Sequence, residues 1–283
     1  MTATDPARQP VEAREFFQTS VEDYDALHYG AGTRSLMTVR LQRMLEAIDR
    51  LGLPAGARVL EAGCGPGHLA EALAARGLEV WALDASRSML HLTDKRLRRR
   101  DPTSNPRLML GSIEQLPVPA ASFDLICSAG VIEYLVTDDQ VMAEFRRALK
   151  PGAHLVLPFT NYWSIAGYLD FAVEALKRQP WFLAPVNAII RRIGGVQVRP
   201  RHFRVRRHRP AEARRNLASA GLSLRDSFYF HFLPWPHPFD RLFPRATAWL
   251  GGKMEGMDRS ALGPLGGEGY LTISSAGRST ESD

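Results

Sequence analysis

Between residues 58 and 157, short apolar runs alternate with stretches of helical periodicity, and this alternation limits the fold more than any other feature. The runs predict strands over 58–62, 79–83, 107–110, 123–127 and 154–157, with two further strands near 222–230 and 269–274. Helices are predicted over 68–76, 86–100, 138–149 and 211–220. Since strands joined through helices make right-handed crossovers, we expect an α/β fold with a doubly wound, seven-stranded and mostly parallel sheet.

The segments around this core follow other patterns. A helical pattern over 11–51 is stopped by Gly52, Pro54 and Gly56, and the strand–helix alternation lapses from 161 to 209. We therefore expect an N-terminal helical cover and an inserted lid. The complete division is a flexible tail (1–10), the cover (11–54), the core (55–160), the lid (161–209), a C-terminal part of the core (210–276) with a loop insertion at 233–267, and a second tail (277–283).

Composition is typical of a globular protein. Hydrophobic residues make up 45% and charged residues 23% of the 283 residues, and no apolar run reaches the roughly 18–20 residues of a membrane span. The N-terminus lacks an apolar signal core, and Cys64 and Cys127 are the two cysteines. We therefore expect a cytoplasmic protein without a disulfide framework or a cysteine-built zinc site.

A glycine-rich loop over 59–67 joins the first predicted strand to the first helix. Such a loop lets backbone approach a ligand closely, although a tight strand-to-helix turn also explains it. A dinucleotide fingerprint would place its third glycine where His68 stands, and the Gly-Lys-Ser/Thr ending of a P-loop is absent. Asp84 ends the second strand, 23 residues after Glu61, where a carboxylate can accept both hydroxyls of a ribose. The spacing therefore favours a nucleoside site of another kind.

An ordered series of segments carries a family resemblance. The segments are 60–67 (LEAGCGPG), 82–86 (ALDAS) with Met89, 111–117 (GSIEQLP), 123–127 (FDLIC), 131–135 (VIEYL) and 149–152 (LKPG). In this order they resemble the class I S-adenosylmethionine (SAM)-dependent methyltransferases of the small-molecule type 11 family. The resemblance covers residues 55–160 well, and it implies a Rossmann-like fold, SAM as the cofactor and a methyl transfer that requires no metal.

The resemblance implies roles at the methionine and ribose parts of the cofactor. Glu61 would orient the loop and the amino end of the methionine part, and Asp84 would hold the ribose hydroxyls. Tyr24 would close over the cofactor. The loop residues whose backbone passes against the cofactor would be Gly63, Cys64, Gly65 and Gly67. The residues lining the methyl-delivery side would be Ala129 and Val131.

The resemblance implies a second set of residues around the adenine. Ala85 and Met89 would pack near the ring, and Ser112 and Ile113 would flank it. Ser112 stands where the family commonly has an acid, so Glu114 is expected to substitute for that acid.

The acceptor side is marked by fewer residues. The family's Glu-His pair after the fourth strand is Glu133-Tyr134 here, so a histidine base is missing at that position. The candidate catalytic residues are Tyr29, Glu133 and His202. Further polar side chains that are candidates for an acceptor pocket are Tyr24, His28, Asn161, Tyr162 and His231.

The residues after the fourth strand argue against nucleic-acid bases as acceptors. They read Ser-Ala-Gly-Val at 128–131, without the Asn/Asp-Pro-Pro-aromatic turn of base amino-methylating enzymes or the Pro-Cys of pyrimidine C5 enzymes. We expect methyl transfer to an oxygen or carbon atom of a lipophilic or anionic small molecule, such as a quinone, a polyketide phenol, a prenyl chain or a lipid head group. Two alternatives stay open: an RNA or protein methyltransferase that docks through arginines, and a non-catalytic SAM- or membrane-binding protein.

The net charge of +6 is concentrated in the lid. Ten basic residues and no acidic residue lie between Glu174 and Glu212, and Arg191-Arg192 directly follows the apolar run 181–190. Peripheral contact with an anionic membrane needs apolar bulk beside guanidinium groups, so this pattern predicts such contact through 177–209. Phosphate recognition, an RNA partner and a solvated basic face are the other interpretations of the charge.

Overall fold

The computed structural model describes residues 29, 35–102, 106–177, 179–192, 205–233, 235 and 243–277. Its strands are β1 (Arg58–Ala62), β2 (Glu79–Asp84), β3 (Arg107–Leu110), β4 (Phe123–Cys127), β5 (Leu149–Thr160), β6 (Leu222–Phe232) and β7 (Gly267–Ala276). Its α-helices are α1 (Leu36–Asp49), α2 (His68–Ala74), α3 (Arg87–Arg100), α4 (Asp139–Ala148), α5 (Ile165–Lys177), α6 (Pro180–Arg192), α7 (Pro210–Ser219), α8 (Pro244–Met254) and α9 (Gly263–Gly266). Short 3₁₀ turns occur at Ile132–Tyr134 and Glu255–Met257.

The strands form one seven-stranded sheet within the described part of the chain, in the order β3-β2-β1-β4-β5-β7-β6. β1 to β5 are parallel, and β7 is antiparallel to β5 and β6. The chain moves outward from β1 through β2 and β3, and then in the opposite direction through β4 and β5. Ligands of doubly wound folds bind at such a switch point, outside the carboxyl ends of the strands. The predicted doubly wound, mostly parallel sheet is confirmed.

Helices cover both faces of the sheet. On one face, Leu60 packs in a cluster with Phe145 of α4 and Leu217 of α7. On the other face, the neighbouring Val59 packs in a cluster with Met44 of α1 and with α2. Successive residues of β1 therefore enter opposite clusters, as expected for a parallel strand that is buried on both sides.

The N-terminal cover is helical where the structure describes it. Ser35 begins α1 with a capping box: its Oγ accepts a hydrogen bond from the Thr38 amide at 3.1 Å, and Thr38 Oγ1 accepts one from the Ser35 amide at 2.9 Å. Apolar side chains on one side of α1 then pack on β6 and β7. The expected tail at 1–10 and the helical pattern at 11–28 lie outside the described residues.

Two segments differ from the sequence-based expectation. The strand predicted at 154–157 is longer in the structure, where β5 begins at Leu149 and its register against β4 shifts between Phe123 and Leu125. The loop insertion predicted at 233–267 contains α8 and two shorter helical turns in its described part. Pro244 is compatible with this helix, since it stands in the first turn of α8, where a missing amide hydrogen costs nothing.

The lid leaves the sheet after β5 as α5 and α6 and returns as an extended segment at 205–209. The return is fixed by backbone hydrogen bonds, from the His208 amide to the Thr160 carbonyl at 2.8 Å and from the Arg206 amide to the Glu133 carbonyl at 2.8 Å. Beneath it, the buried Asp138 carboxylate pairs with Arg206 and accepts a hydrogen bond from Asn216 Nδ2 at 2.9 Å. The lid is thus tied to the loop that follows β4.

A buried histidine completes this polar cluster. Burial and the Arg206 guanidinium lower the pKa of His208 to about 4. The charges of Glu133 and Glu212 act in the opposite direction without offsetting the burial. Asp138 Oδ2 lies 3.2 Å from His208 Nε2 and is also paired with Arg206. His208 is therefore neutral in the folded protein near pH 7.

Among the described residues, we find no helix that is both long and apolar enough to cross a membrane.

Candidate active site

A cleft of about 1160 Å³, including open solvent at its mouth, lies at the carboxyl ends of the parallel strands, under α1. It sits at the switch point between β1 and β4 described above. Its lining includes the predicted cofactor residues Glu61, Gly63, Cys64, Gly65, Asp84, Ala85, Met89, Ser112, Ile113, Glu114, Ala129 and Val131. It also includes Tyr29, Arg40, His68 and Tyr134, together with Met37, Leu41 and Met44 of α1. Side chains from separate segments of the sequence therefore share one cavity.

The glycine-rich loop closes the floor of the cleft. Gly63 has φ +80°, and a Cβ at this position would overlap the Val131 side chain after β4. The Gly63 and Cys64 amides both donate to the Leu83 carbonyl, at 2.7 and 2.9 Å. Only glycine satisfies both the positive φ and the contact with Val131, so the loop packs directly against the methyl-delivery side expected from the resemblance.

Asp84 is held in place by the loop that it faces. Its Oδ2 accepts a hydrogen bond from the Gly65 amide, and its Oδ1 accepts one from the Ser86 amide, both at 2.8 Å. Burial raises the pKa of Asp84, while these backbone hydrogen bonds oppose that rise. Each carboxylate oxygen has room for a further hydrogen bond. Asp84 is therefore a fixed acceptor with capacity for a pair of ligand hydroxyls.

Glu61 is a buried carboxylate, and one of its two oxygens accepts no hydrogen bond from the described residues. Its side chain is 2% exposed, and its Oε2 has no hydrogen-bond partner among the described residues. Burial, and then the negative charge of Asp84, raise the pKa of Glu61 well above its usual range. A buried acceptor without a partner is costly, so its position at the cleft wall indicates a missing cationic or donor group.

The loop after β3 supplies the predicted adenine side. Ile113 is buried at the cleft wall. Ser112 Oγ accepts a hydrogen bond from the Glu114 amide at 3.2 Å and lies 3.3 Å from Glu114 Oε2. The Glu114 carboxylate, expected to replace the family's acid, is therefore oriented by the serine that stands in the acid's place.

Arg40 is a cleft residue that the sequence argument missed. It projects from α1, is 4% exposed, and its Nη2 lies 3.4 Å from Glu133 Oε1. A Cβ at Gly130, where φ is +78°, would overlap the Arg40 guanidinium. The signal was present in the sequence, because a charged residue at position 40 interrupts the apolar face of a predicted helix.

The catalytic candidates separate into three groups. Tyr29 lines the cleft, and its ring stacks on His68 with centroids 3.8 Å apart. Glu133 is buried and contacts Arg40, which places it behind the cleft lining. His202 lies outside the described residues, as do Tyr24 and His28.

The other polar candidates have structural partners elsewhere. Asn161 Nδ2 donates to the carbonyls of Pro264 and Gly267, at 2.6 and 2.7 Å. Tyr162 lies under the Arg209 guanidinium on the lid. His231 is buried, with Nδ1 2.7 Å from Glu268 Oε2 at the far side of the sheet. These residues fasten the lid and the last strands.

The two cysteines of the chain are inert in this environment. Burial raises the pKa of both thiols well above the usual range, and neighbouring carboxylates add to the effect. Cys64 Sγ lies 3.6 Å from Thr93 Oγ1, and Cys127 Sγ lies 3.6 Å from the Leu60 carbonyl. A protonated buried thiol is a poor nucleophile.

Comparison with known proteins agrees with the cleft geometry. A family model described as "Methyltransferase domain" matches residues 60–157. The chain is 31% identical over 171 residues to the ubiquinone/menaquinone biosynthesis C-methyltransferase UbiE of Burkholderia mallei, an alignment that covers 58% of this chain and 67% of the relative. It is 34% identical over 156 residues to the malonyl-[acyl-carrier protein] O-methyltransferase of a Methylovorus species, covering 53% of this chain but only 50% of that relative's length.

A solved structure shows the same fold. The magnesium protoporphyrin IX methyltransferase of Synechocystis PCC 6803, solved with bound SAH, is similar with a TM-score of 0.60 and 16% identity. The similarity covers 96% of this chain and all of the other. At this identity the likeness bears on the fold alone. The family model and the sequence relatives lead to one conclusion: the chain belongs to the class I SAM-dependent methyltransferases of the type 11 family.

Proposed function

We propose that the protein transfers a methyl group from SAM to an oxygen or carbon atom of a lipophilic or anionic small molecule, of the quinone, polyketide phenol, prenyl or lipid type. The observation that carries this proposal is Glu61, whose buried Oε2 lacks a partner among the described residues beside the fixed Asp84 carboxylate. SAM has an ammonium group and two ribose hydroxyls, and these are the donors that such a pair accepts.

We assign different residues of the cleft to different parts of the cofactor. Asp84 would hold the ribose hydroxyls, Glu61 would face the amino end of the methionine part, and Ile113 would pack on the adenine. Arg40 would neutralise an anionic group, because it is the guanidinium at the α1 side of the same cleft. Glu61 and Asp84 favour a cationic group of the ligand. Arg40 limits this preference to the end of the cleft where the two carboxylates lie.

Bound SAM supplies a methyl group on a positively charged sulfur, and the protein then has to position an acceptor and keep water away. Burial and tight packing of Gly63 against Val131 give the cleft a rigid wall at the expected methyl-delivery side. Glu133 contacts Arg40 at 3.4 Å, so we assign Glu133 a positioning role through that arginine. Tyr29 would cover the cofactor together with His68.

The lining supports an acceptor with a lipophilic body and an acidic site. Met37, Leu41 and Met44 face the cleft from α1, and Leu135 faces it from the loop after β4. Apart from His68, which stacks on Tyr29, no imidazole lines the described cleft wall. A phenol or enol that ionises near neutral pH needs little help from a protein base. The names of the relatives include both a C- and an O-methyltransferase, in keeping with either atom.

Isothermal titration calorimetry with SAM and SAH, followed by transfer of labelled methyl from SAM to hydroxylated quinone precursors, tests this proposal. We expect SAM binding and label in an organic-extractable product. Absence of SAM binding would overturn the assignment to an active enzyme. Binding of SAM with label transferred only to RNA or protein would favour the macromolecular alternative, and binding without any transfer would favour a non-catalytic one.

A further inference from the structure

The exposed large apolar side chains of this protein are concentrated outside the sheet. Among the described residues, eleven of the thirteen lie in the insertions that follow β5 and β6, and Leu110 and Val136 are the other two. Single exposed apolar residues are normal on a protein surface, but a concentrated set marks a binding surface. The distribution therefore requires an explanation specific to these insertions.

The two lid helices carry apolar residues on the side that faces solvent. α5 exposes Ile165, Tyr168, Leu169 and Leu176, the residues that the sequence places on one helical face. α6 exposes Trp181 (70%) and Ile189 (49%), and between them also Ala184, Pro185 and Ala188. A helix on a water-facing surface normally shows charged residues there. α5 and α6 instead expose large apolar side chains at these positions.

The elements that carry these side chains are neighbours. α5 contacts both α6 and the short α9, where Leu265 is also exposed. We call this the apolar lid face and define it by Trp163, Ile165, Tyr168, Leu169, Trp181, Ile189 and Leu265. It lies at the carboxyl edge of the sheet, because α5 begins where β5 ends.

Guanidinium groups border the apolar lid face. Arg191 and Arg192 are exposed at the end of α6, a helix that contains no acidic residue. Arg207 lies 5.3 Å from the centre of the Tyr168 ring, and Arg209 lies 5.6 Å from that of Trp163. Aromatic rings with arginines beside them suit the boundary between lipid head groups and acyl chains.

We propose that the apolar lid face docks on the surface of an anionic phospholipid bilayer, with its rings and aliphatic side chains in the acyl boundary and its arginines on lipid phosphates. The charge pattern favours this occupant over a second copy of the chain, because a symmetric dimer would bring together two faces that are both bordered by arginines. It also disfavours RNA, since exposed aliphatic residues gain nothing from a phosphate backbone.

Docking would bring the mouth of the cleft towards the membrane, where a lipophilic acceptor is concentrated. This consequence for the acceptor rests on the proposed function, whereas docking itself does not. A binding experiment without SAM or acceptor therefore separates the two: a failure to bind vesicles leaves methyl transfer intact, and a failure to bind SAM leaves docking intact.

Flotation with two kinds of vesicle tests the proposal on the full chain. We expect the protein to float with vesicles of equal parts phosphatidylcholine and phosphatidylglycerol, and to stay at the bottom with phosphatidylcholine alone. Trp181→Ser combined with Ile189→Ser should abolish flotation. Arg191→Gln combined with Arg192→Gln should weaken binding about fivefold per arginine, the factor that corresponds to about 1 kcal/mol for each basic residue near an anionic surface.

Leu110→Ser is the matched control, because Leu110 is as exposed as several members of the apolar lid face but lies at the end of β3. It should float like the unaltered protein, and all variants should keep SAM affinity and thermal stability. Flotation that the lid variants do not reduce would overturn the proposal, as would no flotation with either vesicle. Loss of a dimer in sedimentation by the Trp181/Ile189 variant, without lipid binding, would identify a second copy as the occupant instead.

Discussion

Replacing Asp84 by Asn tests whether its carboxylate binds the ribose through hydrogen bonds or acts on the sulfonium through its charge. The substitution keeps the shape of the side chain but removes its charge and turns one acceptor into a donor. In the folded protein the two carboxylate oxygens accept from the Gly65 and Ser86 amides, both at 2.8 Å. Whichever oxygen becomes an NH₂ group will face an N–H group, so one loop hydrogen bond is lost, and the two ribose hydroxyls face a neutral amide in place of a charged carboxylate.

The loss of affinity follows from the two ribose hydrogen bonds that Asp84 would accept. A hydrogen bond to a charged group contributes about 1.5–3 kcal/mol, and roughly half of that remains when a neutral amide replaces the carboxylate. The loop hydrogen bond is present with and without ligand, so its loss lowers stability and not affinity. The two ribose hydrogen bonds together lose about 1.5–3 kcal/mol, or roughly tenfold to a hundredfold in binding. Because SAM and SAH share the ribose, we expect the same loss for both ligands.

Calorimetric titration of both ligands into both proteins measures this loss. Asp94→Asn is the control, because the Asp94 carboxylate pairs with Arg98 on the exposed side of α3 and should change neither affinity. Unchanged SAM and SAH affinity in Asp84→Asn would refute the ribose assignment. A loss for SAM that exceeds the loss for SAH by tenfold or more would show that Asp84 acts on the sulfonium charge and not through hydrogen bonds.

Three further predictions follow from the same geometry. Because the pKa of Glu61 is raised, the folded protein keeps a proton that the unfolded chain releases above pH 4.5, and stability therefore falls as the pH rises above 4.5. Glu61→Gln should raise the melting temperature of the ligand-free protein at pH 7 and flatten the pH dependence of that temperature. It should also weaken SAM binding. Gly63→Ala should abolish SAM binding and lower the melting temperature, since its Cβ would overlap Val131, whereas Gly77→Ala, with φ +75° and open space, should cost only about 1–2 kcal/mol of stability. Stability should also fall as pH drops from 6.5 to about 4, when His208 must gain a proton in the unfolded but not the folded state, and His208→Gln should remove that slope in acid unfolding followed by circular dichroism.

The sequence predicted the parts of the site whose residues are close together in the chain. The loop at 59–67, Asp84 and the segment at 111–117 are each set by a strand end and a following turn, and parallel strands bring such ends to one edge. Their spacing was therefore enough to place the cofactor residues around one cavity. Their individual roles stay predictions until ligand binding is measured.

Contacts between distant segments were not predictable in this way. Arg40 and Glu133 are 93 residues apart, and each alone resembles a surface charge on a helix or turn. Similarly, Asp138 contacts His208, which lies 70 residues later in the chain, near the end of the lid. A pairing of this kind depends on how the insertion returns to the sheet, which local periodicity does not record. The sequence also hid the outward direction of the apolar residues on α5, because periodicity shows that a face exists and not which way it points.

The loop after β4 is the place where the cover, the cleft and the lid meet. Val131 packs against Gly63 in the cleft, and the Glu133 side chain contacts Arg40 of α1 while its carbonyl accepts a hydrogen bond from the Arg206 amide of the lid. Since each of these contacts uses a different atom of one short turn, a shift of the turn that improves one contact disturbs the others. The shape of the acceptor side and the position of Arg40 are therefore coupled through this turn, and changes in the lid that alter the acceptor have to preserve its backbone.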